Sequence, residues 1–118
     1  MQRSGHLPDA SAAEAVPVGD PRWFVVTAVA GAPLFEEIIF RGMMFKALRR
    51  RWPAWAAALA SAMAFAACHP PAAMLPVFLL GLGAAALVEW CGWVAPAMLL
   101  HTAYNASVLS GLWERLSP

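Results

Sequence analysis

Four apolar stretches alternate with short polar breaks along the chain. They run from Trp23 to Phe45, Pro53 to Cys68, Met74 to Trp90, and Trp93 to Trp113. Each has about the length of a bilayer crossing, because roughly 20 residues rising 1.5 Å each cover a 30 Å hydrocarbon core. The second and third are short, and taken alone each would also suit a buried core helix or a re-entrant segment.

This pattern predicts an all-α fold, a polytopic membrane bundle of about four transmembrane helices. Strands are disfavoured because an isolated strand leaves its backbone groups unpaired in lipid, and the alternating pattern of a membrane barrel is absent. Residues 1–21 are polar and aperiodic, so we expect a mobile tail there. Residues 22–118 are predicted to form a single helical domain.

Composition supports the membrane interpretation. Of the 118 residues, 61% are hydrophobic and 13% are charged, and the mean hydropathy is +0.61. Soluble domains average about 45–50% apolar and about 25% charged residues, and disordered chains are poorer still in apolar residues. The net charge of +1 gives no support to nucleic-acid binding, which usually shows as a basic stripe. Membrane lipid is therefore the expected surrounding.

The charges that lie outside the apolar stretches predict an orientation. Basic residues concentrate in one cluster, made of Lys46, Arg49, Arg50 and Arg51. Such clusters stay cytoplasmic, so we expect a multi-pass protein of the cell membrane with its amino terminus outside. Tryptophans lie near the predicted helix ends, where indoles settle at headgroup level: Trp23, Trp52, Trp55, Trp90, Trp93 and Trp113. Glu89, at another helix end, is expected to be a solvated boundary residue.

Six polar residues interrupt the apolar stretches and are the candidates for chemistry. They are Glu36, Glu37, Arg41, His69, His101 and Asn105. A charged side chain at the bilayer centre costs at least about 2.5–3.5 kcal/mol on insertion scales, so such residues usually face a cavity, a partner or a reaction.

The two glutamates are predicted to have different partners. Adjacent residues diverge by about 100° around a helix, so Glu36 and Glu37 cannot occupy the same position. Arg41 follows Glu37 by four residues, the spacing at which a carboxylate meets a cation on one face. We therefore expect Glu37 to be held by Arg41, which leaves Glu36 free to act on a substrate or a water.

The histidines also occur in pairs spaced by four. His69 follows Phe65 by four residues, and His101 precedes Asn105 by four, so each pair shares a helix face. Alternatives remain at this level: His69 would also serve as a helix-end cap, and the His101–Asn105 pair would also serve as a polar contact between helices.

These side chains can meet only if they lie at similar depths in the membrane. We estimate each depth by counting 1.5 Å per residue from the predicted cytoplasmic boundary. Glu36 and Glu37 lie roughly 20 Å deep, His101 about 13–15 Å and His69 about 25 Å. His69 is therefore expected to be too deep unless its helix is tilted, kinked or begins later than placed.

Three motifs result: EExxxR from Glu36 to Arg41, FxxxH from Phe65 to His69, and HxxxN from His101 to Asn105. In this order on successive apolar helices they resemble the CAAX-prenyl-protease and bacteriocin-processing family of intramembrane endopeptidases. The resemblance spans residues 35–105. It implies hydrolysis of a peptide bond in a peptide or protein substrate within the membrane, with isoprenylated CAAX tails as the substrates of the eukaryotic branch.

The resemblance also implies a role for each residue. Glu36 takes the place of the general base and is assisted by His69, and together they activate a water. His101 and Asn105 take the oxyanion-stabilising role. Glu37 is counted with this catalytic set and forms the supporting ion pair with Arg41, while Phe65 is a further supporting residue.

The resemblance favours a mechanism without a metal, and no cofactor is expected. Zinc is the second choice, because two histidines and two glutamates could supply a tetrahedral site with an open position. Glu36, His69 and His101 would be its ligands. The HExxH pattern, which places two ligands and a base on one helix, is absent.

Family members usually carry further membrane helices before the first motif, so a truncated or minimal copy is expected here. A homo-oligomer, or a partner chain that supplies the missing helices, would then close the polar cavity. The alternative function is a non-catalytic membrane protein, for instance a bacteriocin-immunity or chaperoning factor that keeps the motifs as a polar core. A third interpretation is an ion or proton pathway through buried Glu and His.

Overall fold

The computed structural model describes residues 19–117, and this part of the chain is helical without strands. Four helices lie close to the predicted stretches: α1 at Pro21–Arg49, α2 at Ala54–Ala67, α3 at Met74–Cys91 and α4 at Ala95–Leu116. A short 3₁₀ turn, Pro71–Ala73, precedes α3. The all-α class is confirmed. Most of the predicted tail, residues 1–18, lies outside the described residues.

Helix α1 is continuous but changes its winding twice. It is α-helical over Pro21–Val26, Ala32–Glu37 and Lys46–Arg49, and π-helical over Thr27–Gly31 and Ile38–Phe45. Its first turn is fixed by Asp20, whose carboxylate accepts the backbone N–H of Arg22 at 2.9 Å, and by Pro21, whose ring suits that position. The π-helical segments flank the α-helical turns that carry Glu36 and Glu37.

Proline and glycine set the breaks between the later helices. Pro53 precedes the first residue of α2, and the Pro70–Pro71 pair stops the chain from continuing that helix. Helix α3 ends at Gly92, whose φ of +81° lies in the left-handed region that glycine adopts without a Cβ penalty. The Gly92 N–H donates to the Val88 carbonyl at 2.9 Å and closes the last turn.

The helices run up and down, so that their ends gather at two levels. Arg49 at the end of α1 bonds to Glu89 near the end of α3, and α2 and α4 begin at the same level. We call this the basic end, after Lys46, Arg49, Arg50 and Arg51. At the opposite end, Phe24 of α1 and Trp113 of α4 line one groove.

Small residues bring α2 and α3 together. A Cβ added to Gly81 would lie only 3.1 Å from both Cα and Cβ of Ala62, which is tighter than ordinary packing. Ala84 and Ala85 are also fully buried. Small residues of α3 thus allow a close approach to α2, as is common between membrane helices.

Two helices, Pro21–Arg49 and Pro71–Cys91 with the 3₁₀ turn included, are long and apolar enough to cross a membrane. Helix α2 is shorter, because its 14 residues rise about 21 Å. Helix α4 has 22 residues but carries His101, Asn105 and two serines. All six tryptophans are exposed, at or near the two ends of the bundle.

Candidate active site

A buried ionic network joins α1 to α4. Glu37 and Arg41 are both completely buried, and His101 is 2% exposed. One carboxylate oxygen, Glu37 Oε1, accepts from Arg41 Nη1 at 3.1 Å and lies 2.9 Å from His101 Nδ1. The ion pair predicted from the four-residue spacing is present, and the histidine is a partner that the spacing alone did not predict.

The ring of Phe65 packs against Arg41, His69 and His101. Arg41 places its guanidinium carbon 4.4 Å from the ring centroid, within range of a cation–π contact. The imidazoles of His69 and His101 approach the same ring edge-on, with centroid distances of 4.7 and 5.4 Å. Phe40 packs on it at 5.2 Å. Phe65 thus fixes the relative positions of the cation and both imidazoles.

Glu36 faces the two histidines. Its Oε2 lies 3.6 Å from His101 Nε2 and 3.9 Å from His69 Nε2. Within residues 19–117 no lysine or arginine pairs with Glu36, whereas Glu37 is paired with Arg41. About a third of the Glu36 side chain remains exposed. The adjacent glutamates therefore have the separate partners that the helical geometry predicts.

Hydrogen bonds set the orientation of each imidazole. His69 Nδ1 lies 2.8 Å from the Phe65 carbonyl oxygen, which only accepts, so Nδ1 carries the proton and donates. His101 Nδ1 likewise donates to Glu37 Oε1, the carboxylate oxygen that also pairs with Arg41. Both Nε2 atoms are thus directed at the same carboxylate oxygen of Glu36. Glu36 Oε2 is buried and has no protein hydrogen-bond partner.

The expectation that His69 lies too deep is wrong. Helix α2 ends at Ala67, so its 14 residues rise about 21 Å from the basic end, and Glu36 lies 13 residues, about 20 Å, from the end of α1. The chain then turns, with the His69 N–H donating to the Ala66 carbonyl. A short second helix therefore brings His69 to the level of Glu36.

Asn105 lies on the same helix as His101 but contacts a different element. Its Nδ2 donates to the Ala28 carbonyl at 2.9 Å, within the first π-helical segment of α1. It also lines a groove of about 190 Å³ together with Phe24 and Val108. The structure therefore unites Glu36, Glu37, Arg41, Phe65, His69 and His101 in one cluster and places Asn105 one turn further along α4.

Two features of the site, and one contact outside it, are not predicted from the sequence. Gly81 makes room for Arg41, because a Cβ there would lie 2.6 Å from Arg41 Nη2. Ala28 contributes a backbone carbonyl, for which no side chain gives a signal. Glu89 is at a helix boundary as expected, but it is not merely solvated, since it accepts two hydrogen bonds from Arg49 at 2.7 and 2.8 Å.

Zinc is the second choice that the sequence leaves open for this site. Among residues 19–117, no group of three or more His, Cys, Asp or Glu side chains is arranged to hold a metal ion. Glu36, His69 and His101 nevertheless remain the side chains on which a zinc ion would depend.

Comparison with known families identifies the group to which the chain belongs. The family model described as type II CAAX prenyl endopeptidase Rce1-like matches residues 18–107. The chain belongs to the Rce1-like family. The match includes all three motifs, from Glu36 to Asn105, and so confirms the resemblance seen in the sequence. A search of the curated proteins and a search of the solved structures gave no match.

Membership of the family indicates a general class of protein. Rce1-like proteins are membrane-embedded proteases, and α1 and α3 are helices of the kind that such proteins need. The polar cluster lies at the middle of α1, about 20 Å from the basic end. This chain thus brings Glu36, Glu37, Arg41, His69 and His101 together among its apolar helices.

Proposed function

We propose that this chain is an intramembrane endopeptidase in which Glu36, assisted by His69, activates a water for attack on a peptide bond. The observation that carries the proposal is the position of Glu36 Oε2 between the Nε2 atoms of both histidines. The neighbouring Glu37 is neutralised by Arg41 and so is unsuited to the same task. Membership of a protease family supplies the reaction class.

The chemistry follows from the donors and acceptors of the cluster. A water between Glu36 Oε2 and His69 Nε2 would meet two acceptors, so both of its protons are directed away from the attacking lone pair. As its oxygen bonds to the scissile carbonyl carbon, one proton passes to Glu36. That proton then moves to the leaving amine as the C–N bond breaks, which regenerates the carboxylate.

His101 is proposed to stabilise the oxyanion as an imidazolium. Glu36 and Glu37 carry two negative charges and Arg41 one positive charge, so a protonated His101 would make the buried cluster neutral. Its Nδ1–H is already engaged by Glu37, which leaves Nε2–H, on the side of Glu36 Oε2, as the donor for an oxyanion formed there. Preorganised donors of this kind are worth about 2.7–4 kcal/mol each in measured systems.

Asn105 is proposed as the second oxyanion donor. One proton of its amide nitrogen is held by the Ala28 carbonyl, which fixes the plane of the amide. The other proton of the same nitrogen remains available, because an amide NH₂ has two. The contact with α1 thus orients the donor that the reaction would use.

The membrane arrangement is part of the proposal. We infer that all four helices lie within the cell membrane in a multi-pass arrangement, with the basic end at the cytoplasmic face. Since α2 rises only about 21 Å, it would end inside the bilayer and open the site toward lipid. Cys91 lies at the basic end, so an impermeant maleimide should label it only after the membrane is permeabilised.

The substrate is proposed to be a peptide or protein with a segment at the membrane, and a prenylated CAAX tail is the first candidate because the family description names it. A second copy of the chain, or a partner with further helices, is proposed to cover the exposed side of Glu36 and His69. Mass measurement in detergent would contradict the first of these if only monomer is found.

The decisive experiment follows cleavage of fluorogenic peptides, prenylated and unprenylated, by the purified chain in lipid. Glu36→Gln keeps the size and hydrogen bonding of the side chain but removes its basicity. We expect turnover to fall by about 10²–10⁴-fold, the usual contribution of a general base. Glu114→Gln, at an exposed carboxylate near the end of α4, is the matched control and should leave turnover unchanged.

A chelator arm separates the two mechanisms. Turnover that survives chelation supports the metal-free reaction, whereas loss that zinc restores would favour Glu36, His69 and His101 as ligands. No turnover from a folded wild-type chain on either peptide would contradict the proposed activity.

A further inference from the structure

The basic end carries a feature that the proposed hydrolysis does not use. A groove of about 450 Å³ opens there between α2 and α3. Its lining is almost entirely apolar: Phe45, Ala54, Trp55, Ala58, Ala85, Ala86, Glu89 and Trp90. The small alanine side chains leave the groove open. Its sides are formed by Trp55 and Trp90, which are 70% and 88% exposed. An apolar groove of this volume suits a hydrocarbon chain.

The one charged residue in the lining is neutralised. Glu89 receives two hydrogen bonds from Arg49, whose Nη1 also donates to the Trp52 carbonyl at 2.9 Å. This two-pronged contact holds the end of α1, the following turn and the end of α3 together. The carboxylate therefore does not oppose an anion at the mouth of the groove.

Three further cations remain at this end. Lys46, Arg50 and Arg51 are exposed, and none of them has an ion-pair partner within residues 19–117. They lie on the same turns as Arg49, next to the start of α2, from which Ala54 and Trp55 line the groove. An apolar groove flanked by indoles thus adjoins an excess of three positive charges.

From this combination we propose that the basic end binds an anionic phospholipid. The headgroup phosphate contacts Lys46, Arg50 and Arg51, and an acyl chain lies in the groove between Trp55 and Trp90. Clusters of basic residues at a membrane interface attract anionic lipids, and tryptophans settle at the same level. A second copy of the chain fits less well, because two such cationic ends would repel each other.

Native mass spectrometry of the chain released from nanodiscs tests the proposal. The discs contain equal amounts of phosphatidylglycerol and phosphatidylcholine with identical acyl chains, so only the headgroup charge differs. We expect the wild-type chain to retain phosphatidylglycerol in preference to phosphatidylcholine. Raising the salt concentration should reduce that preference, because exposed charges are screened.

Two variants separate the headgroup contact from the acyl contact. In K46Q/R50Q/R51Q the preference for phosphatidylglycerol should fall by about fivefold for each charge removed. R22Q/R115Q removes two cations at the opposite end and should leave the preference unchanged. Ala86→Leu fills the groove and should reduce the number of lipids retained, whereas Ala103→Leu, on an exposed position of α4, should not.

Circular dichroism establishes that each variant is folded before its lipids are counted. Equal retention of the two lipids by the wild-type chain would overturn the proposal, and so would unchanged retention in folded K46Q/R50Q/R51Q. If that variant does not fold, the salt dependence of the wild-type chain and the effect of Ala86→Leu decide the question. The groove lies away from Glu36, so peptide cleavage can fail while lipid retention succeeds, and the reverse.

Discussion

Adjacent residues in this protein have opposite surroundings because of the rotation of the helix. Glu37 points into the bundle, is fully buried and shares one oxygen between Arg41 and His101. Glu36, about 100° away, points to the partly exposed side where His69 lies. One carboxylate is thereby enclosed and paired with a cation, and the other is partly exposed beside the histidines. The two glutamates therefore differ in their surroundings because they are one position apart on the helix, although their side chains are identical.

A prediction at this scale concerns the buried ion pair. Arg41→Met should lower the free energy of unfolding by about 3–5 kcal/mol, because it leaves the Glu37 carboxylate buried without its cation. The measurement is an SDS titration in mixed micelles followed by circular dichroism.

Glu37→Gln combined with Arg41→Met is the matched control, since neither charge then remains. The double variant should be more stable than Arg41→Met alone, as is usual when a buried pair is removed together. A double variant less stable than the single one would contradict the assignment of Glu37 as an ionised partner.

At the scale of the element, the packing of α2 against α3 decides where Arg41 can lie. The close approach at Gly81 leaves space for a guanidinium but not for a methyl group. The π-helical winding of α1 has a comparable effect, since it offers the Ala28 carbonyl to Asn105. Interruptions of this kind often occur at functional sites. Helix geometry therefore positions two side chains of the candidate site through backbone features of neighbouring helices.

Gly81→Ala tests the space beside Arg41. The added methyl group would meet Arg41 Nη2 at 2.6 Å and the Ala62 backbone at 3.1 Å, so something must move. Overpacking typically costs 1–3 kcal/mol, against which alanine recovers up to about 1 kcal/mol of helix propensity. We expect a net loss of about 1 kcal/mol in unfolding free energy and reduced peptide cleavage.

Gly83→Ala is the control for this change. It lies two residues further along the same helix, and its Cβ would meet only the flexible Leu100 side chain at 3.4 Å. Its stability should be unchanged or raised by up to about 1 kcal/mol. Equal effects of the two substitutions would show that Gly81 has no special role beside Arg41.

The whole molecule combines a polar centre with an apolar exterior. Large hydrophobic side chains are exposed on all four helices, while Glu37, Arg41 and His101 are buried. This is the reverse of a water-soluble protein and suits a chain surrounded by lipid. The exposed tryptophans gather toward the two ends, separated by the length of the bundle.

Fluorescence quenching by brominated lipids tests this arrangement. In vesicles, lipids brominated near the headgroup should quench tryptophan emission more strongly than lipids brominated near the chain ends, because indoles lie at the interface. Stronger quenching by the deep bromines would contradict the proposed placement of the tryptophans at the two membrane surfaces.

Local features of the sequence predict the helices and most of the side-chain contacts within each helix. Apolar length, proline and glycine breaks, and spacings of four residues are local signals. They were sufficient for the four helices, for the Glu37–Arg41 pair and for the contact of Phe65 with His69. The family could also be inferred, because its motifs are short and lie on single helices.

The contacts between side chains of different helices became known only from the packing of those helices. The bond from His101 to Glu37 joins residues 64 positions apart, and that from Asn105 to Ala28 joins residues 77 apart. Such contacts depend on helix length, winding and crossing, as the depth of His69 shows. Close packing determines these contacts. Gly81 in α3, for example, sets how near the Arg41 side chain of α1 can lie, and no local sequence pattern contains that information.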